Sequence, residues 1–507
     1  MRPLSHERVK IGSMIASRRE TLGLTQKDLA RRLKTSQSAV ARMERGDQNF
    51  STVMLLRISK VLAKSIISVS GASLNFEIEG GHRLSGKIKT NSAKNSAVVL
   101  LAASLLNRGR TVLRSMPKIE EVRRLIEILE SLGVYVRWQN EKDLEIIPPQ
   151  RLNLKNLNIE AAKKTRSILL FLGPLIHLAR QFSIPEPGGC RLGLRTARPH
   201  FLALREFGVN ISSHEYQYDV VAKNLHPAEV VLYESGDTVT ENAIMAAAGI
   251  PGKTMIKFAS ANYMGQELCF FLELLGVKIE GIGTSTLTVE GIETIQKDVS
   301  YHLAEDPIES MLFLSIAATT NSPITIERCP IDFLELELLK LKEMGFRYKI
   351  LKRYVSSNGR TKLVDIKTFL SRLTALPEKI YARPFPGINI DNLPFFVPIA
   401  TQARGETLIH DWVFENRAVY YLELTKLGAS VTMADPHRVF IKGPTKLTAA
   451  EVICPPALRP SALILIAMLA ATGTSILRNV YSINRGYEDL TERLQKLGAK
   501  IKVLRSF

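Results

Sequence analysis

Six times along the chain, a stretch with apolar residues at helical spacing runs into a Leu/Phe/Met-Gly pair and continues as an alternating segment. The alternating segments are VYVRW after Leu132-Gly133, VNIS after Phe207-Gly208, VKIEG after Leu275-Gly276, FRYKI after Met344-Gly345, ASVTM after Leu427-Gly428 and AKIKV after Leu497-Gly498. Apolar recurrence every three to four residues predicts helix, and alternation predicts a strand with one face on a core. A glycine at the junction suits the left-handed position that closes a helix. The helices so predicted are EEVRRLIEILESLG, PHFLALREFG, GQELCFFLELLG, FLELELLKLKEMG, RAVYYLELTKLG and YEDLTERLQKLG. The glycines stand 75, 68, 69, 83 and 70 residues apart. That period is too long for a solenoid and too regular for chance, so the pattern predicts six similar α/β units, in two groups of three.

The first copy comes after about 130 residues, and the N-terminus carries a different pattern. Ile11, Met14, Ile15 and Leu22 predict a helix over Val9–Leu22, ended by Gly23. Thr25 caps a second helix running to Lys34, Thr35-Ser36 caps a third stopped by Gly46, and TVMLLRISKVL predicts a fourth. Two short helices joined by a tight turn suit insertion of one helix into a major groove. In that geometry Gln26 contacts phosphate, while Gln37, Ser38 and Arg42 face base edges. A helical docking module without DNA is the blander reading. Ser65–Ser73, small and β-branched, reads as a linker.

Charge sharpens this division. The net charge is +19, and residues 1–70 hold 14 Lys/Arg against 5 Asp/Glu. So basic a small piece attracts polyanions, which release counterions on binding. Other bulk properties mainly exclude. No run of 18 apolar residues occurs, and Ser167–Ala179 and Ala462–Ala471 read as core helices. The opening MRPLSHERVK is not expected to be a secretory signal. Cys190, Cys269, Cys329 and Cys454 lie far apart with no CxxC pair, which argues against disulfides or a zinc site and for a reducing cytoplasm. With neither a metal cluster nor a dinucleotide fingerprint in the sequence, no metal and no cofactor is expected.

Four strings carry candidate chemistry. Lys94-Asn95 opens the apolar stretch SAKNSAVVLLAASLL, and a cation beside helix-start amides makes an anion site. Cys190 sits in PEPGGCRLGLRTARPH with Arg191, Arg195 and Arg198 nearby, and guanidinium charge favours thiolate. Arg417 stands at a predicted helix start in VFENRAVYY, and Arg485 precedes Gly486 in INRGYE. Either arginine could simply pair with a carboxylate. Together with Lys94 they suit a small, multiply charged anion such as a phosphate ester.

Two family resemblances follow from these residues. LGLTQKDLARRLKTSQSAVARMERG resembles the phage-repressor-type helix-turn-helix, with Thr25-Gln26, Leu29-Ala30, Ser36-Gln37, Val40 and Glu44-Arg45-Gly46 in place. The four strings, with the six repeats, resemble the UDP-N-acetylglucosamine branch of the enolpyruvyl transferases over roughly residues 74–507. That resemblance implies an α/β fold of two domains, an inverted α/β barrel of six repeated units, preceded by a small all-α helix-turn-helix domain. The implied division is 1–70 for DNA binding and 71–93 for a linker and first strand, with the chain crossing between halves near Lys94 and Asp306. Residues 94–304 form the half with the cysteine loop and 305–507 the second half. It implies phosphoenolpyruvate and UDP-N-acetylglucosamine as substrates, with no membrane partner. DNA through residues 1–70 and a homodimer on palindromic sites complete the expected partners.

The implied roles transfer residue by residue. Lys94, Cys190, Asp391 and Arg459 fall in the catalytic set, and Asn95, Arg166, Arg195, Arg417 and Arg485 in the substrate-binding set. Departures stand beside the matches. Ala457 replaces the family's aspartate two residues before Arg459, Arg198 reverses a charge near the nucleotide, and Asn484 replaces an aspartate before Arg485. Ala457 and Arg198 favour an alternative reading, a regulator whose transferase-like body senses the sugar nucleotide. The sister shikimate-pathway transferase is disfavoured by the Gly-Gly-Cys loop and the lack of a Lys-Glu-Ser-Asp-Arg-like string.

Overall fold

The computed structural model describes residues 11–13, 15–16, 19–20, 24–47, 54, 57–58, 61, 73–188 and 196–506. The chain divides into two units, one made of Met1–Leu74 with Leu504–Phe507 and one of Asn75–Val503.

In the first unit, helices Gln26–Leu33 and Gln37–Arg45 form the pair the sequence predicts. Thr25 accepts from the Asp28 amide and Asp28 answers on the Thr25 amide, a reciprocal cap that fixes the first helix start. Lys34 closes that helix in the left-handed region, Ser36 caps the next helix on Ala39, and Gly46 ends it at φ 77°. Ile15, Leu29, Leu33, Val40, Met43 and Ile58 form the core. Arg19 and Glu44 lie at its edge as a nearly buried ion pair, Nε to Oε1 at 2.6 Å, and Arg19 also donates to the Leu24 carbonyl at 2.8 Å. Of the first predicted helix, residues 11–13, 15–16 and 19–20 are helical, whereas Gly23 lies outside the described residues.

The second unit repeats one motif six times. In its first copy, strand Thr111–Arg114 leads through helix Glu120–Ser131 to a hairpin, Tyr135–Trp138 and Leu144–Ile147. The last strand inserts between the other two, antiparallel to both, and Val299–His302 adds a parallel edge. Four other sheets have the same order, and the sheet of Gln181–Pro185, Val209–His214 and Gln217–Ala222 has three strands among the described residues. In the sixth copy the inserted strand is Ser73–Gly80, so the beginning of this unit closes its end. Strands within 111–302 make three sheets, and strands from 73–89 and 324–506 make the other three.

All six junction glycines take positive φ, from 84° at Gly428 to 103° at Gly276, where an L side chain would be strained. One prediction is corrected. Ala418–Leu427 is a 3-10 helix, not an α-helix, although Gly428 still ends it in the left-handed region.

Each copy has a second helical segment, and in three copies it is buried along nearly its whole length. Ser96–Ala103, Pro307–Thr319 and Leu458–Leu469 are buried at every position. A helix apolar all round belongs inside a core. Leu172–Leu178, Asp237–Ala248 and Phe396–Ala400 are the counterparts in the remaining copies.

Candidate active site

The inner helices begin where the chemistry gathers. Lys94 and Asn95 open the first, Arg166 starts the 3-10 turn before the second, and Asp237 opens the third. Asp391 precedes the turn into the fifth, and Arg459 is the second residue of the sixth. All these residues line one cavity of about 680 Å³, together with Arg417 and Arg485. Five helix starts around one space sum their positive ends, which favours an anionic ligand before any side chain is counted.

The charged side chains interlock. Asp391 accepts from Arg459 Nη2 at 3.1 Å and lies 4.0 Å from Arg417 Nη1. Arg459 Nη1 donates to the Tyr487 hydroxyl at 2.7 Å. Arg417 is fully buried and forks onto Asp411, Nε to Oδ2 at 2.6 Å and Nη2 to Oδ1 at 2.8 Å. The carboxylate partner that the sequence left open for Arg417 is therefore Asp411. Lys94 Nζ donates to Asn95 Oδ1 at 3.2 Å, and Asn95 Nδ2 donates to the Tyr263 hydroxyl at 3.1 Å. Arg485 stands 3.9 Å from Glu121, and Arg166 Nη2 donates to the Thr196 carbonyl at 3.1 Å.

Electrostatics follow from this network. Burial pushes the Asp391 carboxyl up, but Arg459, Arg417 and Lys94 outweigh it and hold Asp391 below the ordinary carboxylate range. Glu121 behaves alike, its burial overcome by Lys94, bonds from Thr165 and Ser167, and Arg485. Asp306 goes the other way. Burial lifts it to about 6, with Arg459 opposing and Glu309 adding. Asp306 does not line the cavity, but Asp237 does, and burial raises it as well, so the cavity wall holds one ionised acid and one pushed toward neutrality, a pairing suited to moving protons.

Cys190 and Arg195 lie outside the described residues. Sequence reasoning overlooked Glu121, Asn262, Asn389 and Asp411. Asn262 could have been found as the Asn-Tyr start of the third amphipathic helix, since it caps Tyr263–Leu275. It also accepts from Asn389 Nδ2 at 3.4 Å. Ala457, in the N-cap position of Leu458–Ala470, offers no side-chain bond to that helix start.

In the first unit Gln37, Ser38 and Arg42 are exposed on helix Gln37–Arg45. Gln26 is placed differently from a free phosphate contact, because its amide nitrogen donates to Glu44 Oε2 at 2.8 Å. Neither unit, among the described residues, has a helix long and apolar enough to cross a membrane.

Comparison with known proteins agrees with this layout. The sequence model described as EPSP synthase (3-phosphoshikimate 1-carboxyvinyltransferase) matches residues 78–494, and one described as helix-turn-helix matches residues 15–68. UDP-N-acetylglucosamine 1-carboxyvinyltransferase of Bradyrhizobium diazoefficiens is 33% identical over 85% of this chain and 98% of its own length. The Carboxydothermus hydrogenoformans protein named UDP-N-acetylglucosamine 1-carboxyvinyltransferase 1 is 36% identical over 84% and 97%. Among solved structures, the enolpyruvyl transferase NikO of Streptomyces tendae shares the fold at TM-score 0.73 and 23% identity, covering 86% of this chain and all of that one. EPSP synthase of Acinetobacter baumannii does so at 0.68 and 16%, covering 85% of this chain. The chain belongs to the enolpyruvyl transferase family, alongside the UDP-N-acetylglucosamine 1-carboxyvinyltransferases, and carries a helix-turn-helix domain ahead of the transferase body.

Proposed function

We propose that the body transfers the enolpyruvyl group of phosphoenolpyruvate to the 3-hydroxyl of UDP-N-acetylglucosamine, the first step of peptidoglycan precursor synthesis, while the N-terminal unit binds DNA. The observation that carries this reading is the single cavity lined by Lys94, Asn95, Arg166, Asp391, Arg417, Arg459 and Arg485. Phosphoenolpyruvate holds a carboxylate and a phosphate on three carbons. Cations fixed around it neutralise both without reorganising during the reaction.

The sugar oxygen bonds to C2 of phosphoenolpyruvate while C3 gains a proton, giving a tetrahedral ketal that still carries phosphate. Loss of a C3 proton and cleavage of the C2–O bond to phosphate then yield the enolpyruvyl ether and inorganic phosphate. Asp391, held ionised by Arg459 and Arg417, is suited to orient the 3-hydroxyl and take its proton. Lys94 and Arg485 meet the anionic substrate, with Arg195 from the cysteine loop. Cys190 is the proposed proton donor to C3. No metal or organic cofactor enters these steps.

A coupled assay of phosphate release with both substrates tests the reading. Turnover in the wild type and its suppression in Cys190→Ser are the expected results. Absence of phosphate release with UDP-N-acetylglucosamine bound would favour the second reading, a sensor body that closes on the sugar nucleotide. Ala457 favours that reading, since it stands where the family resemblance places an aspartate of the catalytic cluster. The DNA-binding unit is expected to pair on palindromic sites as a homodimer.

A further inference from the structure

The sheet of Gly86–Lys89, Ile324–Pro330, Tyr348–Val355 and Lys362–Thr368 carries eight Lys/Arg against two Asp/Glu. Its register sorts these charges by face. Ile350, Ile366, Ile326 and Ile88 lie side by side across the four strands, and the last three are buried. That row faces the core, so the neighbouring row faces outward. It consists of Lys349, Lys367, Thr325 and Lys87, and all three lysines are exposed.

This outer row is short of negative charge. Lys87 has one loose partner, Glu327 at 3.9 Å, whereas Lys349 and Lys367 make no ion pair among the described residues. Asp365, on the same face, is already engaged by the Tyr354 hydroxyl at 2.6 Å and the Arg328 amide at 3.0 Å. Lys367 lies over the Phe369 ring at 5.6 Å, and Lys352 over the Tyr354 ring at 5.0 Å. Like charges directly opposite one another destabilise a sheet, and Lys349 stands opposite Lys367. Lysines on an edge strand guard against edge-to-edge pairing, which accounts for Lys349. It does not account for Lys367, which is on an inner strand. A polyanion laid across the row removes the repulsion. Three strand spacings cover about 14 Å, over which one strand of a duplex presents about four phosphates.

We propose that the outer face of this sheet binds the sugar–phosphate backbone of duplex DNA, a contact blind to base sequence and additional to that of the helix-turn-helix. Lys349, Lys367 and Lys87 are its phosphate contacts. The choice of DNA among polyanions rests on the N-terminal unit binding DNA; the unpaired cations stand without it.

Anisotropy titrations of the full chain on a random-sequence duplex, between about 50 and 200 mM salt, test the face. The triple variant K87Q/K349Q/K367Q should reduce the slope of log affinity against log salt by about one per lysine. Over that range the wild type should lose roughly fortyfold more affinity than the variant. Phosphate release and melting temperature should stay normal, and K87R/K349R/K367R should keep the wild-type slope. An unchanged slope in the glutamine variant overturns the proposal, as does a lost slope in the arginine variant. Loss of binding to phosphatidylserine vesicles, with duplex binding intact, assigns the face to a membrane and also overturns it. A reduced slope, with no sequence enriched by the wild type from a random pool, upholds the face and overturns specific recognition by the helix-turn-helix. No duplex binding by the wild type at about 50 mM salt overturns both.

Discussion

In the N-terminal unit the candidate DNA contacts Gln37, Ser38 and Arg42 fall within two turns on the exposed face of one helix. In the body, Lys94 and Arg485 come from opposite ends of the unit and line the same cavity. The first arrangement is a local device. Its shape follows from two caps, one left-handed residue and a small core, and its stability leans on the nearly buried Arg19–Glu44 pair. The second is built by repetition. Five of the six copies bring the start of a helix or 3-10 turn to one place, and each of those starts adds a charge or a hydrogen-bonding group. Local devices should therefore fail locally when damaged, whereas the body should lose chemistry without losing its fold.

That contrast is sharpest at Lys94. Lys94→Ala is expected to lower kcat/KM about a thousandfold, about 4 kcal/mol of transition-state stabilisation, with the melting temperature of the body nearly unchanged. A variant that unfolds, or one with normal turnover, would break the division between chemistry and scaffold. Glu44→Ala tests the other side. It strands the Arg19 guanidinium and removes the partner of Gln26, so the N-terminal unit should lose about 2–4 kcal/mol while phosphate release stays normal. Separate calorimetric transitions for the two units would report it, and a destabilised body would contradict it.

Next in size is a pH effect confined to the body. Glu267 accepts from the Ala304 amide at 2.6 Å, and burial lifts it from 4.5 to about 7. A carboxyl raised in the folded state keeps its proton there longer than in the unfolded chain. Stability is therefore lost as pH rises from about 4.5 to 7. Glu267→Gln should flatten that decline and gain about 1–3 kcal/mol at pH 8, read as a melting temperature that no longer falls between pH 5 and 8. Equal wild-type stability at both pH values would remove Glu267 as the cause. The smallest effect is expected at Arg42, where Arg42→Ala should weaken operator binding by about 1–2 kcal/mol and relax base preference. Uniform weakening across all DNA sequences, with a reduced salt slope, would make Arg42 a phosphate contact instead.

Much of the scaffold was legible because its signals are local. The junction glycines announced all six units, since only glycine accepts that backbone region without strain, and Thr25 and Ser36 announced the caps of the helix pair. Ala418–Leu427 reads as an α-helix in the sequence because 3-10 runs longer than three or four residues are uncommon, so ten helix-like residues point to the α form. Lys94, Arg417 and Arg485 could be picked out as site candidates from short strings, and Arg459 and Asp391 through the family resemblance. Glu121 could not, because it matters only through Lys94 and Arg485, an ammonium and a guanidinium delivered by other parts of the fold. Asp411 lies six residues before its partner Arg417, and only the fold shows that the two meet.

Sequence by itself determined the number of units, the helix-turn-helix and the family, because spacing, caps and matched strings lie along the chain. Tertiary structure alone decided which distant charges meet: Arg459 with Asp391, Arg417 near Asp391, and Arg485 beside Glu121. The physical reason is that periodicity is a one-dimensional property, whereas ionisation and pairing depend on distance and burial in three dimensions.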